Sequence, residues 1–169
     1  MCEYYVVAVD AARARFFRLE NADVPEFESG PNLVEDGALT NPESEMAGRD
    51  VFTDSKTGMA RPGGARAPVS YDDHRAQHLV EFDRRFARKI GRESLKRAKR
   101  SGARCVVLAS TPEMLGHLRP VLEDITRSGI ELREFARDVS KLPALEVQQR
   151  LAAQELIPPR KGPRAYKTR

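Results

Sequence analysis

Apolar and polar positions along the 169 residues fall into blocks with different periods. Tyr5–Val9 is a continuous β-branched and apolar run, and Ala14–Leu19 resumes after the short polar link Asp10-Ala11-Ala12-Arg13. Two such runs across a short link predict adjacent strands, the first buried on both faces. Asn21–Pro31 reads as a loop, and Leu33-Val34 as a third, short strand. Between about Gly37 and Asp72 glycine, proline, serine and charge dominate, which predicts a long mobile insertion. Leu79, Phe82, Phe86 and Ile90 then recur at three- and four-residue steps, the apolar stripe of a helix over about 73–100. Asp72 or Asp73 would cap that helix and Ser101-Gly102 would end it.

Downstream the period alternates. Ala103–Ala109 reads as a buried strand, and Thr111-Pro112 as the N-cap and first position of a helix carrying Leu115, Leu118, Leu122 and Ile125. Ser128-Gly129 closes it, Ile130–Phe135 is a further strand, and Pro143–Ile157 a last helix. A hairpin followed by strands alternating with helices implies a single α/β sandwich, a mixed central sheet flanked by helices. Its expected core includes Val7, Val9, Phe82, Phe86, Val107, Leu115 and Leu118. The domain would occupy 1–157, followed by a disordered tail over 158–169.

Composition narrows the classes. No apolar run approaches the roughly 20 residues of a membrane-spanning helix, and the first residues hold neither a basic region nor an apolar run of signal-peptide length. A cytosolic protein without a membrane partner is expected. Cys2 and Cys105 are the only cysteines, too few for a disulfide scaffold or a zinc ribbon. The net charge of +4 comes from the tail: Pro158–Arg169 carries five Lys/Arg and no acid. Taking those five from 29 basic residues leaves 24 against 25 acidic ones.

Charge is also unevenly placed on the long helix. Between Arg84 and Arg104 there are ten Lys/Arg and one acid, Glu93. At about 100° per residue, Arg84, Arg85, Arg88, Lys89, Arg92, Lys96, Lys99 and Arg100 share an arc of roughly 160°, and only Arg97 turns toward the apolar stripe. Solvated helix faces usually mix signs for four-residue pairing. A single-sign face suits a phosphate backbone, the alternative being a plain solvated surface. Gly63-Gly64, with Arg66 beside them, stand in the insertion before this helix, where a backbone could approach a phosphate closely. Neither a GxGxxG nor a GxxxxGK[ST] spacing occurs, so no nucleotide cofactor is expected. His74 and His78 have metal-ligand spacing but only Asp72 and Asp73 for company, and no metal is expected. Ser70 and Ser110 lie in no GxSxG elbow. Asp10, closing the first strand, stands where ribonuclease-H-like nucleases hold a metal-binding carboxylate. The strand ending at Ala109 runs into Ser110-Thr111-Pro112 without the second acid that chemistry needs.

Several blocks together carry a resemblance. Val6-Val7-Ala8-Val9-Asp10 with Ala12–Phe17, then Asn41-Pro42, Thr53-Asp54, Phe82 with Phe86-Ala87, Val106–Ala109 with Pro112, Met114–Arg119, and Asp138–Pro143 resemble the bacterial host attachment protein family over residues 4–151. The resemblance implies a relative of the middle domain of archaeal and eukaryotic peptide-release factors and Pelota, with a ribonuclease-H-like fold. In release factors a Gly-Gly-Gln loop precedes a long basic helix and enters the peptidyl-transferase centre. Gly63-Gly64 are similar in placement, but Ala65 stands where the glutamine would be, so peptidyl-tRNA hydrolysis is not implied. The family's Asp-Arg-Pro-Gly stretch is replaced here by Asp54-Ser55-Lys56-Thr57-Gly58. Two functions stay open. One is an RNA- or ribosome-associated accessory protein using Gly63, Gly64, Arg66, Arg84, Arg85, Arg88, Lys89, Arg92 and Lys96. The other is an interaction protein that affects host-cell attachment indirectly, without RNA. Oligomeric state is not legible.

Overall fold

The computed structural model describes residues 3–42 and 70–163, the side chains of 70–79 excepted. Five strands and three helices follow in the described chain: β1 (Tyr4–Val9), β2 (Arg13–Glu20), β3 (Asn32–Thr40), α1 (Ser70–Ser101), β4 (Cys105–Ser110), α2 (Pro112–Arg127), β5 (Glu131–Phe135) and α3 (Ala144–Ala152). The strands form one mixed sheet in the order β3-β2-β1-β4-β5. β1 pairs antiparallel with β2, and β2 with β3; β1–β4 and β4–β5 are parallel.

β1 and β4 lie centrally with helices over both faces, which is why each reads as an unbroken apolar run. Alternation then divides the core. Tyr5, Val7, Val9, Phe16 and Leu108 meet Phe86, Ile90, Leu115, Leu118 and Leu122 of α1 and α2. Val6, Ala8, Phe17, Leu19 and Val107 meet Val139 and the α3 residues Val147 and Leu151. Of the expected core, Phe82 alone is only half-buried. It lies near the start of the described side chains, with the Arg85 guanidinium 5.4 Å from its ring centre.

α2 starts as its sequence dictates: Thr111 is the N-cap, its side chain accepting from the Met114 N–H, with Pro112 next. Gly129, at φ 78°, lets the chain leave the helix for β5. Three expected boundaries are corrected. β3 runs to Thr40 instead of ending at Val34, so Gly37–Thr40 belong to the sheet and not to the insertion. The first long helix begins at Ser70, which places Asp72 and Asp73 inside it and removes them as caps. α3 stops at Ala152, because Glu155 takes a left-handed φ of 57° while the Leu156 and Glu155 N–H groups donate to the carbonyls of Leu151 and Ala152. That pair of bonds closes a helix and turns Ile157 into the core.

The tail is also corrected in part. Arg160 donates from Nε to Asn32 Oδ1 at 2.7 Å, and Lys161 exchanges two backbone hydrogen bonds with Gly30 at 2.8 and 2.9 Å. Pro158–Pro163 thus lie along the loop before β3. Residues 164–169, and the part of the insertion over 43–69, lie outside the described residues.

Candidate nucleic-acid interface

α1 has 32 residues, about 48 Å at ~1.5 Å per residue. Phe86, Ala87, Ile90, Gly91, Ser94 and Ala98 face inward. Arg84, Arg85, Arg88, Lys89, Arg92, Lys96, Lys99 and Arg100 are all exposed, so the arc drawn from the sequence is the outer face of the helix. Among the described residues, Arg84, Lys89, Arg92, Lys96 and Lys99 make no ion pair. Arg85 and Arg88 share Glu81, at 3.7 and 3.2 Å. Glu81 lies one turn upstream of the basic stretch and was missed as a partner, though its four-residue spacing to Arg85 was readable. Exposed pairs of this kind contribute at most about 1 kcal/mol. Gly63, Gly64 and Arg66 lie outside the described residues, as do the side chains of Asp72, Asp73, His74 and His78.

Arg97 turns inward and fixes the helix to the sheet. Its guanidinium lies 4.8 Å from the Phe16 ring centre and donates to Glu93 Oε1 at 2.7 Å, to Asp36 Oδ2 at 3.3 Å and to the Asp36 carbonyl. Asp36 sits at a bulge in the β2–β3 pairing, where Phe16 faces Gly37 and Phe17 faces Glu35. The extra residue aims its carboxylate at α1. Tyr5 Oη donates to the same Oδ2 at 2.8 Å and Arg100 at 3.1 Å, while Arg18 lies 3.5 Å from Oδ1. Gly37 adopts φ 127°, and a Cβ there would lie 3.0 Å from the Arg97 guanidinium. No sequence period announces Asp36; the bulge that aims it exists only once β2 and β3 pair.

A second cluster closes the carboxyl end of β1. Asp10 Oδ1 accepts from the N–H groups of Ala12 and Arg13, both at 2.7 Å. Oδ2 accepts from Ser140 Oγ at 2.6 Å and from Arg13 Nε at 3.4 Å. Arg15 donates to the carbonyls of Ser140 and Leu142, and Asn41 Nδ2 to that of Ala11. The Asp10 carboxylate is therefore committed to holding the β1–β2 link against the 138–142 segment. Among the described residues no three His, Cys, Asp or Glu side chains are grouped to hold a metal ion.

Burial alone would raise both carboxyls. At Asp10 the Ser140 hydroxyl, two N–H groups and Arg13 outweigh it, and at Asp36 the Tyr5 hydroxyl and three guanidiniums do so. Both stay below the usual aspartate range. A carboxyl lowered by folding stabilises the native state fully above its unfolded pKa, about 4, and loses that contribution as pH falls through the lower folded value. Urea midpoints are expected to hold down to about pH 4 and to drop below it, with a shallower drop in Asp36→Asn. An equally steep acid limb in that variant would count against the Asp36 cluster.

Residues 5–151 match the family described as "protein required for attachment to host cells". The chain belongs to that family. The match runs from β1 into α3 and takes in Asp10, Asn41 and Ser140, which the structure brings to one end of the sheet. The basic face of α1 lies within it as well. No curated protein matches this host attachment family member. No helix among its described residues is long and apolar enough to cross a membrane.

Proposed function

We propose that this protein is a cytosolic RNA- or ribosome-associated accessory protein, related to peptide-release factors but without their hydrolase activity. The family description points to a role in attachment to host cells, which such a protein would serve indirectly. The observation that carries the reading is the outer face of α1, where Arg84, Lys89, Arg92, Lys96 and Lys99 stand exposed without an ion pair among the described residues. Like charges at four-residue spacing repel, and a phosphate backbone relieves that repulsion. The mixed sheet, with β1 between antiparallel β2 and parallel β4, supports a ribonuclease-H-like fold. Ala65 in place of a glutamine supports the absence of catalysis. Gly63, Gly64 and Arg66 would approach a phosphate from the insertion.

The test is the double reversal Lys89→Glu with Lys96→Glu, chosen because both side chains are exposed and neither is paired among the described residues. Each phosphate contact on a single strand adds about 0.7 to the slope of log affinity against log salt. Losing two should lower the slope by about 1.4 and weaken RNA or ribosome binding roughly a hundredfold at ~50 mM salt. Unchanged co-sedimentation with ribosomes and unchanged RNA affinity would make the face a solvated surface. The indirect, RNA-free interaction protein would then be the better reading.

A further inference from the structure

The basic face is not uniformly convex. α1 and α2 approach so closely at Gly91 that a Cβ there would lie 2.9 Å from the Val121 carbonyl oxygen and 3.0 Å from its Cγ2. Beside this contact a groove of about 330 Å³ opens between the helices, lined by Arg88, Gly91, Arg92, Leu95, Val121 and Asp124. Its floor is apolar: glycine leaves a flat backbone, and Leu95 and Val121 are partly buried hydrophobics packed against the core. The α1 rim carries two exposed guanidiniums one helical turn apart, and the α2 rim carries the Asp124 carboxylate.

That combination selects a ligand class. An apolar floor under guanidinium planes suits a flat ring, since Arg stacks on base faces as well as pairing with phosphate. The carboxylate on the opposite rim accepts hydrogen bonds, and among bases it favours those presenting an amino group, as aspartate does with the N4 amine of cytosine. Asp124 Oδ1 takes one such bond from Arg127 at 3.2 Å, and a carboxylate has room for more. A carboxylate side chain would match the arginines but offers neither a flat face to the apolar floor nor a donor to Asp124. A duplex keeps its bases stacked and cannot offer a face to a groove.

We infer that this groove holds one unstacked base of a single-stranded RNA, its amino group on Asp124 and its flanking phosphates on Arg88 and Arg92. The inference rests on the RNA-associated reading above and adds the strand state and a base preference to it. Cytosine presents an N4 amine beside a bare N3, and uracil a C4 carbonyl beside an N3–H, so the comparison reads whether Asp124 accepts from the exocyclic amine or from the ring.

The experiment measures binding of the full chain at matched low salt to oligo(C), oligo(U) and an abasic ribose-phosphate strand, all octamers. Oligo(C) is expected to bind roughly fivefold tighter than oligo(U), and the abasic strand most weakly. Asp124→Ala removes an acid and so can raise affinity for every strand; the diagnostic is that the C-over-U ratio falls to about one. Equal binding of all three strands with a full salt slope would overturn the groove and leave the phosphate-binding face standing. A C-over-U preference that survives Asp124→Ala would also overturn it. Failure of every strand to bind would remove the RNA reading and this inference with it.

Discussion

Arg97→Met is expected to destabilise the protein by about 3 kcal/mol, measured as a fall in urea midpoint at constant slope. Arg97 retains 16% of its side-chain exposure and Asp36 13%, so their attraction is poorly screened by water. Methionine fills much of the volume over Phe16 but offers no donor. Asp36 then keeps Tyr5, Arg18 and Arg100 but loses the guanidinium that bonds both its carboxylate and its carbonyl, and Glu93 loses its partner. Asp36 is left short of one donor and the half-buried Glu93 without its cation, and depriving a poorly solvated charge of its partner costs more than the pair itself contributes. Arg97→Lys should recover less than half, because an ammonium cannot span Glu93 and Asp36 in one planar fork. Lys99→Met, exposed and unpaired among the described residues, is the control and should shift stability by less than about 0.5 kcal/mol. A loss below 1 kcal/mol in Arg97→Met would reduce the cluster to surface electrostatics. Loss of the latch should leave the outer basic arc intact, which makes stability and RNA affinity separable.

The parts of this fold legible in the sequence are those where one local rule decides the outcome. β1 and β4 are apolar throughout because both faces are covered, and α2 carries its own cap, proline and stripe. β3 was legible only in its first residues. Glu35-Asp36-Gly37 has the composition of a turn, yet pairing with β2 overrides that preference, and the glycine serves the bulge. α3 shows the opposite error. Its apolar spacing continues to Ile157, but Ile157 reaches the core after a turn and not along the helix axis. The tail reads as basic and apolar-poor, whereas two backbone bonds to Gly30 and one from Arg160 anchor its first half, and partners 131 and 128 residues away in sequence leave no local signal. At the candidate site, exposure of the basic arc follows from helical geometry alone. Its acidic counterparts do not: Asp36 is aimed by a bulge, and the groove at Gly91 exists only after two helices pack.

Gln148 is the other side chain whose loss should be felt strongly, for a reason that belongs to the sheet edge. β3 is an outer strand, and an unpaired edge invites pairing with another chain. α3 meets it with an amide that acts as a short piece of neighbouring strand. Gln148 Oε1 accepts from the Leu33 N–H at 3.1 Å, and Nε2 donates to the Pro31 carbonyl at 2.8 Å. The residue is 1% exposed, so water cannot replace either bond without opening the helix from the sheet. Gln148→Leu preserves volume and apolar contact but orphans one donor and one acceptor, each costing about 1–3 kcal/mol when buried. A net loss of about 3 kcal/mol in urea denaturation is expected, with faster hydrogen exchange at the Leu33 amide. Gln148→Glu separates the two bonds. Its carboxylate can still accept from Leu33 but faces the Pro31 carbonyl with two acceptors opposed, so it should be destabilised as well, and less so at low pH where the protonated acid donates. If Gln148→Leu loses less than 1 kcal/mol with Leu33 exchange unchanged, packing alone holds α3 and the amide is incidental. If the loss is as expected, the strand edge depends on one side chain for both closure and protection, and the Leu variant should also self-associate more readily than the parent at equal concentration.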